Sequence, residues 1–342
     1  MKNFKTLIQA RLEAKKKIRP GTFKWLEAAA ENGFTREINN LDLNHIKIKP
    51  SFLNKVGNID IKTKIFGQNF SSPIIISPMG HQTQFRNLGE IETARGANKS
   101  KTLSYFSTQG RMSLKDIKQN NSKLSFGWEI FPFGNLKWIE QQLKNAEKYK
   151  CNSIVLCVDA NIRSHRHLDR ETSYDARKYG KRSNPESPNP SLGRYYDWKL
   201  VKYMTKKTKL PVIIKGILTL EDAESCIKNG ASGIWVSNHG GRMFNSGISA
   251  ISALRKISKI KKKYKTILFV DGGVEKGSDI IKYLCAGADL VGIGRAAIYG
   301  LILDGGNGVN RIVEILKSEL QTAMINGGFK SLKSFNAKRI YE

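Results

Sequence analysis

No apolar run in this sequence is long enough to cross a bilayer. The longest, PIIISP (73–78) and SIVLCV (153–158), are strand-sized, against the roughly 18 or more residues that a spanning helix needs. The N-terminal MKNFKTLIQARLEAKKKIRP alternates charge with single apolar residues. It lacks the continuous apolar core of a secretion signal, so a cytoplasmic location is expected. Cysteine is scarce: Cys151, Cys157, Cys226 and Cys285 are the only four in 342 residues, with no Cys-x-x-Cys pair. That excludes a disulfide framework, no metal site is expected, and the reading that remains is buried reduced thiols. Acidic residues are short as well. There are 29 against 58 Lys and Arg, for a net charge of +29. Such an excess admits a nucleic-acid or anionic-membrane partner. The lysines, however, are scattered (RLEAKKKI, YMTKKTKL, KISKIKKKYKTI) and not gathered in one long tract. A lysine-rich surface is therefore the reading, with neither nucleic acid nor membrane as partner and with a field that draws in small anions.

What is present is a rhythm. Eight short apolar runs recur: PIIIS (73–77), TLSYF (102–106), LSFGWEIF (124–131), SIVLCVD (153–159), PVIIKG (211–216), GIWVSN (233–238), TILFVD (266–271) and LVGIGR (290–295). Amphipathic segments separate them. TLEDAESCIKNGA (219–231) opens with Thr-x-x-Asp and closes on Gly230; KGSDIIKYLCAGA (276–288) offers Ser278 as N-cap. Strand and helix in alternation imply a parallel sheet, and eight repeats imply a closed (β/α)8 TIM barrel forming a single domain over 1–342. Residues 1–70 read as an N-terminal helical extension ending in a hairpin, GNIDIKTKIFGQNF (57–70). Residues 163–199 are polar, proline-rich and unpatterned. So long a loop after strand four reads as a lid over the barrel mouth.

Polar residues and glycines gather where these runs end: Pro78-Met79-Gly80, Ser104, Glu129, Asp159 to Arg166, Lys215, His239 to Arg242, Asp271-Gly272-Gly273 and Gly294-Arg295. In a barrel that edge holds the active site. The glycines after runs seven and eight suit close approach to an anion, with Arg295 adding charge, although ordinary strand-to-helix turns also use glycine. Lys215 is either a surface snorkel or a fixed positive charge at the pocket mouth. His239 alone would read as a core histidine. Followed by Gly-Gly-Arg242, it reads as a base beside a planar carboxylate fork.

Four ordered motifs, LPVIIKGILTLEDA (210–223), VSNHGGR (236–242), FVDGGVEKGSDI (269–280) and GIGR (292–295), resemble the FMN-dependent α-hydroxy acid oxidase and dehydrogenase family, which includes glycolate oxidase, lactate oxidase and lactate monooxygenase. The resemblance spans about residues 15–335. It implies FMN at the C-terminal mouth of the barrel, a small L-2-hydroxy acid as substrate, O2 or another electron acceptor, and a homo-oligomer, a tetramer by likeness. By the same likeness His239 is the general base, oriented by Asp159; Arg242 and Arg166 clamp the carboxylate; and Lys215 stabilises the reduced flavin. Pro78, Met79, Gly80, Ser104, Glu129, Cys157 and Ser237 would lie around the flavin. Asp271, Gly272, Gly273, Gly294 and Arg295 would hold its ribityl and phosphate.

The chain departs from the family pattern at four places. Trp25 and Phe131 stand where the family has tyrosines, Glu129 where it has a glutamine, and Glu275 where it has an arginine near the phosphate. These departures leave open a flavin-binding barrel with altered or lost catalysis. A different FMN enzyme, such as the isopentenyl-diphosphate isomerase, is the other alternative, and the His239/Arg242 pair argues against it.

Overall fold

A computed structural model describes residues 4–53, 56–180 and 197–341. All eight runs are strands: β1 (Ile74–Ile76), β2 (Ser104–Ser107), β3 (Phe126–Ile130), β4 (Ile154–Cys157), β5 (Val212–Ile217), β6 (Gly233–Val236), β7 (Ile267–Asp271) and β8 (Leu290–Ile293). Each pairs in parallel with the next, and β8 pairs with β1, closing the barrel. The strands are buried on both faces, which is why they read as continuous apolar runs and not as alternations. Their side chains still alternate. Ile75, Tyr105, Val155, Ile213, Trp235 and Phe269 fill the interior. Ile74, Ile76, Ile154, Leu156, Val212 and Ile214 pack outwards. In the interior, Trp235 stacks on Phe269 at 5.3 Å and meets Tyr105 edge-on at 5.1 Å. Gly127 makes room for this: a Cβ there would lie 2.1 Å from the Tyr105 ring.

Three helices precede the barrel: α1 (Leu7–Lys17), α2 (Pro20–Glu27) and α3 (Phe34–His45). Pro20 opens α2, where its missing N–H is no loss. The short hairpin, Thr63–Ile65 with Gln68–Phe70, packs Ile65, Phe66 and Phe70 against the barrel interior. After β5, Thr219 accepts a hydrogen bond from the Asp222 N–H at 3.1 Å and caps the helix as its spacing predicts. The cap after β7 differs from expectation. Ser278 lies inside the helix Gly277–Cys285; the Asp279 carboxylate reaches back to the N–H groups of Glu275 and Lys276, so Lys276 is the N-cap. The segment after β4 is less irregular than its composition suggests, since His167–Thr172 is helical. Most of the rest of that segment, residues 181–196, lies outside the described residues. No helix among the described residues is long and apolar enough to cross a membrane.

Candidate active site

A cavity of about 870 Å³ opens at the C-terminal ends of the strands, a volume suited to a cofactor-sized ligand. Its wall draws on nearly every strand end: Pro78 to His81, Gln109, Glu129, Phe131, Lys215, His239 to Met243 with the exception of Gly241, Asp271 to Glu275, and Gly294 with Arg295. Trp25 of α2 and Arg166 from the segment after β4 complete it. Ser104, Asp159, Cys157 and Ser237 stand off this lining. Ser104 begins β2 instead of ending it, and is fully buried with an Oγ that finds no partner among the described residues. Behind the wall, Asp159 and Ser237 hold wall residues in place, and Cys157 donates to Asp159.

The loop after β6 turns tightly. His239, Gly240 and Gly241 are all left-handed, with φ of 55°, 59° and 75°. The glycines tolerate this freely, and at Gly241 a Cβ would meet the Arg36 backbone nitrogen at 2.5 Å. The turn brings His239 Nδ1 to 3.1 Å from Asp159 Oδ1, while the Cys157 thiol donates to the same oxygen at 3.1 Å. Burial alone would raise the Asp159 carboxyl; His239 and Lys215 outweigh it and hold the group well below the usual carboxylate range. An ionised Asp159 can only accept, so Nδ1 carries the proton and Nε2 keeps its lone pair. Burial pushes the imidazole pKa down, with Asp159 opposing and Lys215 assisting. At neutral pH the ring is therefore a neutral base.

Lys215 is buried at the end of β5 and donates to Ser237 Oγ at 3.1 Å. Ser237 in turn donates to Asp271 Oδ1 at 2.6 Å and accepts from the His239 N–H at 3.1 Å. Burial works against the Lys215 charge, but Asp271 first and then Asp159 raise its pKa, so it remains cationic. One serine thus links lysine, aspartate and histidine.

The arginines meet the C-terminal end of α2. Arg242 Nη1 donates to the carbonyls of Trp25, Leu26 and Ala28, and its guanidinium lies 5.0 Å over the Trp25 ring. Among the described residues its Nε and Nη2 edge makes no hydrogen bond, which leaves a planar fork for a carboxylate. Arg295 donates to Leu26 and Ala28 carbonyls and to that of Gly240. Arg166 is held by Ser164 at 3.3 Å and by Asp169 at 3.7 Å. Burial lowers the proton affinity of Arg242, and the neighbouring Arg166 and Arg295 lower it further. A guanidinium keeps its charge even so, and three of them crowded here favour an anion between them.

The cavity suits a flavin nucleotide. Gln109 Nε2 and Glu129 Oε1 are buried on its wall with no partner among the described residues. Gly272 and Gly273, at φ of 120° and 70°, leave backbone exposed at one end beside Gly294 and Arg295. Glu275 is exposed at the same end, with the Asn40 amide 3.4 Å away. Sequence reading overlooked Gln109, two residues past β2, as well as Phe133 and His81. It also overlooked the cluster in which Arg11, Arg36 and Tyr299 grip the Glu27 carboxylate. The polar residue just beyond a strand end was the available signal for Gln109; the Glu27 partners come from distant helices and leave no local trace.

A model of the FMN-dependent dehydrogenase family matches residues 14–342. The 2-hydroxyacid oxidase of Dictyostelium discoideum is 30% identical over 353 aligned residues, covering 99% of this chain and 91% of that protein. The L-lactate oxidase of Lentilactobacillus hilgardii is 31% identical, with 98% and 94% covered. A crystal structure of a Pediococcus acidilactici protein assigned as a lactate oxidase superposes with a TM-score of 0.94 at 30% identity, covering 99% of this chain and 94% of that one.

Proposed function

The chain belongs to the FMN-dependent dehydrogenase family, and on that premise we propose that it oxidises an L-2-hydroxy acid of lactate type to the 2-oxo acid, with O2 as electron acceptor. The observation that carries this reading is the His239–Asp159 pair at 3.1 Å, set beside the unengaged edge of Arg242 in one cavity. FMN, when bound, supplies the two-electron acceptor for the hydrogen leaving carbon 2.

The chain's own residues do the rest. The Arg242 fork, with the charge of Arg166 beside it, holds the substrate carboxylate and so fixes which face of carbon 2 is presented. His239 Nε2 accepts the α-hydroxyl proton. Asp159 stabilises the imidazolium that forms and keeps the ring in the required tautomer. Lys215 holds a fixed positive charge against the wall where negative charge develops. Gln109, Glu129, Gly272, Gly273, Gly294 and Arg295 are the residues that would hold the cofactor. Pro78, Met79 and Gly80 supply the apolar side of the same wall. Arg163, Arg166, Asp175 and Ala176 all reach the cavity, which supports a covering role for residues 163–180.

The test is anaerobic mixing of purified enzyme with L-lactate, followed through the flavin absorbance. Bleaching, with pyruvate formed in equal amount, is expected. A protein that holds FMN but is bleached by no 2-hydroxy acid would overturn the activity while leaving the family assignment intact.

A further inference from the structure

Three carboxylates surround one lysine at the base of the cavity. Lys215 Nζ lies 3.9 Å from Asp271 Oδ2. Asp271 has its own donors, Ser237 at 2.6 Å and Ser77 at 3.2 Å. Asp159 has His239 and Cys157, each at 3.1 Å. The third carboxyl, Glu129 of β3, is treated differently. It is only 2% exposed, it lines the cavity, and its Oε1 finds no partner among the described residues. The groups facing it are Ser107 from β2, Cys157 and Asp159 from the end of β4, Lys215 from β5 and Asp271 from β7.

The charge balance decides its state. Asp159 and Asp271 already exceed the single positive charge of Lys215, since His239 is neutral at rest. A third ionised carboxylate would add a second negative charge beyond what Lys215 balances, buried with Ser107 as its one hydroxyl donor and with Oε1 unpartnered, in a cavity that takes an anionic cofactor. A protonated carboxyl avoids this and turns an acceptor into an O–H donor. Resting on the family's need for FMN, we propose that Glu129 is a cofactor-positioning residue that holds the flavin as a neutral carboxylic acid, and that its ionisation releases the flavin. Burial, only partly offset by Lys215, raises its pKa to about 8. The acid is thus neutral at pH 7, and the grip loosens as pH rises past that value.

The experiment equilibrates dilute holoenzyme between pH 6 and 9.5 and reads free FMN by its fluorescence, for wild type and for Glu129→Gln. Wild-type affinity should hold to about pH 8 and then fall about tenfold per pH unit; the variant, unable to ionise, should stay flat over that range. Infrared spectra of the wild-type holoenzyme at pH 7 should also show a protonated carboxylic acid carbonyl that Glu129→Gln lacks. Parallel profiles for the two proteins, or a flat wild-type profile, would overturn the proposal. If the variant does not fold, a flat wild-type profile or the absence of the carbonyl band still overturns it. A protein that holds no FMN at any pH would instead sink the cofactor reading beneath it.

Discussion

His239 and Asp159 act as one unit, and their pH behaviour follows from geometry. Burial lowers the imidazole pKa, so the neutral base persists below the ordinary histidine range near 6.5. The rate of flavin reduction should therefore hold at pH 6.5 and decline only at lower pH, as the ring protonates. His239→Gln should retain FMN and lose reduction by on the order of 100-fold or more, since glutamine accepts no proton. Asp159→Asn removes the largest influence raising the imidazole pKa and frees the tautomer, so its loss should approach that of His239→Gln, with the acid limb moved lower still. Stopped-flow reduction across pH 5 to 8 checks both, and an acid limb that stays put in Asp159→Asn would refute the coupling. Trp25 and Phe131 set a second property at this scale. Both are nearly buried and line the cavity, with the Phe131 ring 6.1 Å from the His239 ring. An apolar wall favours apolar side chains by about 25 cal/mol per Å² buried. Comparing kcat/KM for glycolate, lactate, 2-hydroxybutyrate and 2-hydroxyisocaproate should show glycolate the poorest, and Phe131→Tyr should raise turnover. Glycolate as best substrate would show that the wall does not select.

Among the elements, α2 is held by charge. Glu27 at its end accepts from Arg11, Arg36 and the Tyr299 hydroxyl, the last two at 2.6 Å each. Burial works to raise the Glu27 pKa, but Arg36, Arg11 and Tyr299 overcome it and lower the value from 4.5 to about 2. The folded value lies below the unfolded one. The stabilisation, roughly 3 kcal/mol, is therefore complete above about pH 4.5 and is lost as pH falls towards 2. Glu27→Gln should melt several degrees below wild type at pH 7, and the gap should narrow steadily between pH 5 and 3. A gap that stays constant across that range would place the stabilisation elsewhere. This cluster also marks the limit of what the sequence discloses. The eight strands were legible because each is a short apolar run bounded by turn residues, and the Thr219 cap because its partner is three residues away. The base, its aspartate and the arginine fork were legible because strand ends in a barrel converge. Glu27 meets Tyr299 across 272 positions and Arg295 meets Leu26 across 269. No periodicity encodes such pairs; they exist only once the last barrel helix closes against the N-terminal extension. Ser278 misled for the opposite reason: a better acceptor, Asp279, sat one residue further on.

Across the whole molecule the net charge of +29 has no counterpart in a single buried network, yet it surrounds a cavity whose own wall carries Arg166, Arg242 and Arg295. A 2-hydroxy acid enters as an anion. A positive surface raises the local concentration of such ions and steers their approach, and salt screens it: the screening length falls from about 30 Å at 0.01 M to about 8 Å at 0.15 M. The steps after binding take place inside the cavity, where bulk salt screens weakly. The two kinetic parameters should thus separate. Between 0.01 and 0.3 M NaCl, kcat/KM for L-lactate should fall several-fold, on the order of 3- to 10-fold, while the limiting rate of flavin reduction at saturating lactate stays constant. Replacing exposed lysines far from the mouth, such as Lys261 and Lys263, by glutamine should flatten the salt dependence slightly and leave the limiting rate alone. A kcat/KM indifferent to salt would show that the dispersed lysines build no useful field at the mouth, and that the cavity arginines alone account for anion capture.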